Sequence, residues 1–231
     1  MTSATAGPYG TPDAPLLVVR GEAEFEVEPE VARIGVTVGA RGRDRRATLD
    51  DLTRRNAAAL DLVKSYGQAV EHVSTGAFTL APELSEHGRG ERVRGYHGQV
   101  HLGAELTDFT ALAELTTRLA DLELTRVDGP WWSLRAGSPV HAEARRRAVA
   151  EALRRAREYA EALDTSVDAL IELDDGGAEG GHPARATFER GTRRFSRAAA
   201  DEPAGPLDLE PQRLRVAARI TARFTMRPPR L

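Results

Sequence analysis

From Leu16 the chain alternates between apolar and charged positions. Leu17, Val19, Gly21, Ala23, Phe25 and Val27 point one way, and Arg20, Glu22, Glu24, Glu26 and Glu28 the other. Period two with one polar face predicts a half-buried strand. After Pro29, Ile34, Val36, Val38 and Ala40 alternate inward while Arg33 and Thr37 face out, a second strand. The two are expected to form an antiparallel hairpin around Glu28–Glu30. Helical spacing starts near Asp44 and runs through Leu49, Leu52, Leu60 and Val63, with Asn56 between them and Gly67 as a stop. Two further strands follow. Phe78, Leu80 and Pro82 mark the inner face of the first, and Tyr96, Val100, Leu102, Ala104 and Leu106 that of the second. The polar stretch Ser85–Glu91 between them reads as a hairpin loop.

Thr107 or Asp108 then caps a short helix carrying Phe109, Leu112, Leu115 and Leu119. A strand over Val127–Leu134 holds Trp131 and Trp132. Ser138-Pro139 opens a helix to about Leu163, because a capping hydroxyl precedes proline at the first helical position. Its inner stripe is expected to be small: Ala144, Ala148, Ala152, Ala156, Tyr159 and Ala160. A strand at Asp168–Leu173 follows. The last strand alternates Leu214, Val216, Ala218, Ile220, Ala222, Phe224 and Met226 with Arg213, Arg215, Arg219 and Arg223. The order ββα-ββα-βα-ββ predicts an α+β two-layer sandwich, a mostly antiparallel sheet with helices on one face.

Met1–Pro15 has no basic n-region and no apolar stretch, so it reads as a flexible polar arm and not a secretory signal. A cytoplasmic location is the resulting expectation. Residues 16–231 are expected to form a single domain. Asp174–Pro206 is rich in Gly, Ala and charge without a steady period, which predicts a long, partly disordered loop insertion. At 231 residues, with 41% hydrophobic and 29% charged positions, the chain is ordinary for a globular protein. No run approaches the ~20 apolar residues of a membrane span. Cysteine is absent, which removes disulfides, thiolate metal sites and a thiol nucleophile. Lys64 is the only lysine among 32 basic residues, so a Walker A loop is excluded. The net charge of −3 exerts no bulk pull on nucleic acid.

Candidate chemistry is sparse. His97, Gln99 and His101 share one strand face with Glu105, but a single strand spreads them over ~13 Å, too far to converge on a metal. His72, His87, His141 and His182 form no spaced motif. His141-Ala142-Glu143 lacks the cysteines a zinc deaminase requires. Gly88-Arg89-Gly90 lacks the third glycine of a phosphate loop, and Asp174-Asp175-Gly176-Gly177 lacks the alternating ligands of a calcium loop. No G-x-S-x-G occurs. We therefore expect no catalytic, cofactor or metal residues. Arg145, Arg146, Arg147, Arg154, Arg155 and Arg157 make one helix locally basic, but Glu143, Glu151 and Glu158 are interleaved at pairing distance. The acidic row Glu22 and Glu24 and the basic row Arg215, Arg219 and Arg223 are complementary, within or between subunits. Consecutive Trp131 and Trp132 put one indole on each face of their strand, one in the core and one outward. These seven residues are the candidate interface.

The stretch V-R-G-E-A-E-F-E-V-E-P-E-V-A-R-I-G-V at Val19–Val36 resembles the opening of the SIMPL (DUF541) family. Gly21, Pro29, Ala32 and Ile34 match its pattern, and Ala23 stands where a second glycine is common. Thr75–Leu80 with Gly95-Tyr96, the Ala-rich helix Ala142–Ala160 and the closing alternating strand fit in order. The Asp174–Pro206 insertion is longer than the family pattern. The resemblance implies a protein without established catalytic residues. Its relatives include exported bacterial proteins, some forming ring-like homo-oligomers and several linked to stress tolerance, and a eukaryotic signalling adaptor. The leading expectation is a non-catalytic protein acting through a homo-oligomer larger than a dimer or through partner binding. The alternatives are a nucleic-acid-binding module using the Arg-rich faces and an enzyme with a site near His97 and His101.

Overall fold

The computed structural model describes residues 10–84, 93–175 and 207–230. The strands are β1 (Leu16–Val27), β2 (Val31–Gly42), β3 (Val70–Leu84), β4 (Val93–Leu106), β5 (Thr125–Ser133), β6 (Val167–Asp174) and β7 (Leu214–Met226). The helices are α1 (Arg45–Lys64), α2 (Phe109–Ala120) and α3 (Pro139–Ala162). The architecture is α+β with antiparallel pairing throughout, and the element order is the one the periodicity predicts. The strands divide, however, into two sheets: β1-β7-β6 and β3-β4-β2-β5. The chain correspondingly forms two compact units.

The expected hairpin of β1 with β2 does not form. β1 pairs along its whole length with β7, and β2 lies between β4 and β5. Two features of β1 favour β7. Its Glu row lies beside the Arg row of β7, and its small inner residues admit a helix close to the sheet. At Gly21 an added Cβ would lie 1.9 Å from the Ala148 carbonyl oxygen and 2.8 Å from Ala152 Cβ. Only a glycine there lets α3 settle this deep. The core of this unit is accordingly thin and alanine-lined: Ala148, Ala152 and Ala156 against Val19, Ile220, Ala222 and Phe224. Arg147 stacks over the Phe25 ring at 4.4 Å, and Arg155 donates to the Arg20 carbonyl at 3.3 Å. Both tie α3 to the β1 side.

The second unit is bulkier inside. Ile34, Val36 and Val38 of β2 and Val100, Leu102 and Leu106 of β4 pack under Leu52 and Val63 of α1 and Leu112, Leu115 and Leu119 of α2. Each helix begins at a side-chain cap, the predicted one for α2 and α3 and Asp44 for α1. Asp44 accepts from the Ala47 N–H at 2.8 Å, and Asp108 from Thr110 and Ala111 at 2.9 and 3.1 Å. Ser138 accepts from Val140 in the same way at the start of α3. The sequence β2-α1-β3-β4-α2-β5 with sheet order β3-β4-β2-β5 is the split βαβ, ferredoxin-like topology. Leu209 packs against this core, and the Leu207 N–H donates to Thr117 Oγ1 at 3.2 Å.

The loop predicted at Ser85–Glu91 and the insertion predicted at Asp174–Pro206 fall outside the described residues, apart from Asp174 and Asp175. Among the described residues no helix is long and apolar enough to cross a membrane.

Candidate functional site

Among the described residues each sheet is covered on one face, by α3 on β1-β7-β6 and by α1 and α2 on β3-β4-β2-β5, and is open on the other. On the β1-β7-β6 sheet the open face is a lattice of charge. The register places Glu22 opposite Arg219, with Arg219 Nε 3.7 Å from Glu22 Oε1. Arg215 reaches Glu24 at 3.0 Å, a diagonal neighbour, and Arg223 reaches across to Glu172 of β6 at 3.1 Å. The acidic and basic rows singled out in the sequence therefore meet within one chain. All of these side chains are well exposed, so each pair is worth ~0.2–1 kcal/mol.

The open face of the β3-β4-β2-β5 sheet is built differently. Trp132 turns inward and meets Phe109 edge-to-face at 4.8 Å. Trp131 turns outward and is 47% exposed. Its ring lies over Gly35, where an added Cβ would sit 3.4 Å from Trp131 Cη2. Gly35 pairs with Gly103, so the two central strands present bare backbone beside the indole. The rows on either side are polar and internally matched. Arg33 Nε donates to Glu105 at 3.0 Å, Arg126 pairs with Asp128 at 2.6 Å, and Arg41 approaches Glu83 at 3.6 Å.

The histidines of this face are also engaged. His101 Nδ1 lies 2.9 Å from Thr37 Oγ1, and His97 Nε2 lies 3.3 Å from Gln99 Nε2. They hydrogen-bond to their neighbours along and across strands and do not converge. Among the described residues no group of three His, Asp or Glu side chains is placed to hold a metal ion.

The basic helix carries its own counter-ions. Glu143 accepts from Arg146 and Arg147, and Glu151 from Arg154 and Arg155. Hydrogen bonds from Arg146 and then Arg147 hold the Glu143 carboxyl below its usual range. Those from Arg154 and Arg155 do the same for Glu151. Cations neutralised in this way release fewer counter-ions to a phosphate backbone. Four-stranded RNA-binding sheets stack bases on aromatics of their open face. Here the central strands offer Arg33, Gly35, Thr37, Gly39 and Arg41 with His97, Gln99, His101, Gly103 and Glu105. Both observations weigh against the nucleic-acid reading.

The fold and these faces define a class: an α+β protein whose distinctive surfaces are open sheets. The family described as a protein of unknown function (DUF541), SIMPL, matches residues 17–224. The chain belongs to the SIMPL family. No curated protein matches it.

Proposed function

We propose that this SIMPL protein works by assembly and binding and not by catalysis, and that it forms a homo-oligomer larger than a dimer. The observation carrying the reading is Trp131: a half-exposed indole resting on bare glycine backbone, ringed by cation–carboxylate pairs already satisfied in the chain. A central aromatic with a matched polar rim is the anatomy of a specific interface. Burying this face strands none of Arg33, Arg41 and Arg126 without a carboxylate, the case in which burying a charge costs most. A second copy presents the same patch, so a two-fold contact is self-complementary. Growth beyond a dimer uses a further contact, for which the edge strand β3, with Phe78 53% exposed, is suited.

Light scattering tests the reading. The expected mass at micromolar concentration exceeds twice the 25.1 kDa of the chain, and Trp131→Ala lowers it. A mass of one chain that does not change on concentration would end the assembly reading.

A further inference from the structure

A second surface lies on the helix side of the β1-β7-β6 sheet. α3 packs on β1 and β7 and only marginally on β6. Arg147 and Arg155 mark its β1 flank, since one covers Phe25 and the other bonds the Arg20 carbonyl. The opposite flank repeats every fourth residue as Arg145, Val149, Leu153 and Arg157. It therefore faces β6. On β6, Leu170 pairs with buried Phe224 and Leu173 with buried Ala222, so both project to the α3 side of the sheet. Yet they remain 54% and 48% exposed. The result is an apolar groove between helix and edge strand, with an arginine at each end. Among the described residues neither Arg145 nor Arg157 forms an ion pair, whereas Arg146, Arg147, Arg154 and Arg155 on the same helix all reach an acid or a ring.

We propose that this groove docks an extended segment of a partner protein in which two acidic side chains flank two apolar ones. The arginines fix the chemistry. They stand about 18 Å apart along the helix axis at ~1.5 Å per residue. Six residues of extended chain span about 20 Å at ~3.3 Å each. Acids at positions i and i+6 thus reach the two guanidinium groups while apolar residues at i+2 and i+4 enter the groove. β6 ends its sheet, so its outer edge offers main-chain hydrogen bonds to such a segment. Self-pairing of β6 is disfavoured, because it sets Glu172 and Asp174 beside their own copies on the open face. Partner residues on that face are neutral or basic.

The binding reading above is the frame for this proposal, but the surface and the readout are separate. The probe is the synthetic peptide Thr-Glu-Thr-Val-Thr-Leu-Thr-Glu-Thr, dye-labelled and titrated with the full chain by anisotropy. A control peptide carries Lys for both Glu. The Glu peptide is expected to bind at least about tenfold more tightly than the Lys peptide, a factor equal to ~1.4 kcal/mol. R145E with R157E is expected to reverse that preference, and L170T with L173T to weaken both peptides. All four side chains are exposed or on a helix flank, and an unchanged circular dichroism spectrum verifies the fold of each variant. The proposal is overturned if the Glu peptide fails to saturate by about 1 mM, or if the charge variant keeps the original preference. It is also overturned if L170T with L173T lowers the solution mass, which would make a second copy the occupant. Loss of peptide binding leaves the mass measurement standing, and a monomeric mass leaves the peptide measurement standing.

Discussion

Gly21 is the point at which one added carbon should cost most. Gly21→Ala places a methyl group 1.9 Å from the Ala148 carbonyl oxygen and 2.8 Å from the Ala152 nitrogen and Cβ. An ordinary carbon–oxygen contact needs more than 3 Å, so α3 must lift by roughly 1 Å or tilt; a gap of this size forfeits a quarter to a half of the dispersion well of each contact. The contacts at risk are those of Ala148, Ala152 and Ala156, all at most 1% exposed. Overpacking of this kind costs about 1–3 kcal/mol and sometimes more, against ~0.5–1 kcal/mol regained because alanine suits a strand better than glycine. We expect a net loss of about 1–2 kcal/mol, a sizeable part of a typical stability.

The obstacle is backbone, so Ala152→Gly should restore little. Gly137→Ala, where an added Cβ meets nothing within 4 Å, is the neutral control. Urea unfolding followed by circular dichroism reports α3 together with α1 and α2, while Trp131 and Trp132 report the other unit alone by fluorescence, so a dichroism change that the fluorescence does not follow belongs to the α3 unit. At an m-value of about 2 kcal/mol/M the dichroism midpoint of the unit that holds α3 should fall by roughly 0.5–1 M. A midpoint equal to that of the Gly137→Ala control would refute the close-approach argument.

Three further outcomes are expected. A double-mutant cycle of Arg219→Glu with Glu22→Arg should give a coupling of ~0.2–1 kcal/mol that shrinks in about 1 M salt, whereas Arg219 with Glu24 should couple less; zero coupling for the first pair would place the rows in solvent. Asp108→Ala removes acceptors for the Thr110 and Ala111 N–H groups and should cost ~1 kcal/mol in thermal or urea unfolding of the β3-β4-β2-β5 unit. Glu143 and Glu151 titrate below their usual range in the folded chain, so their stabilising effect is fully present above the unfolded carboxylate pKa of about 4.3 and is lost as pH falls further. Thermal melts of wild type and Glu143→Gln/Glu151→Gln should accordingly differ at neutral pH and converge in acid; a constant difference would contradict the assignment.

The amino-acid sequence by itself determined the local structure. Alternation marked most of the strands, and the caps at Asp108 and Ser138-Pro139, with helical spacing from near Asp44, placed the helix starts, because these signals act within a few residues. It also put the two indoles of Trp131 and Trp132 on opposite faces, since side chains alternate along a strand. Which indole is buried was a tertiary matter, decided by Phe109 meeting Trp132. Strand partners were likewise beyond reach. Period two says which side of β1 is buried but not what lies beside it, and β7 arrives nearly two hundred residues later. The matched Glu and Arg rows were a partner-selecting signal legible in the sequence, pointing to β7 where the short Glu28–Glu30 connection pointed to β2. The flanks of α3 show the same limit. Both arginine pairs fall on a four-residue repeat, Arg147 and Arg155 eight residues apart and Arg145 and Arg157 twelve, and the sequence sets Glu143 and Glu151 four residues ahead of the first pair only, without saying which flank meets β1. Only the docking of α3 brings the first pair to Phe25 and the Arg20 carbonyl of β1 and leaves the other pair on the opposite flank.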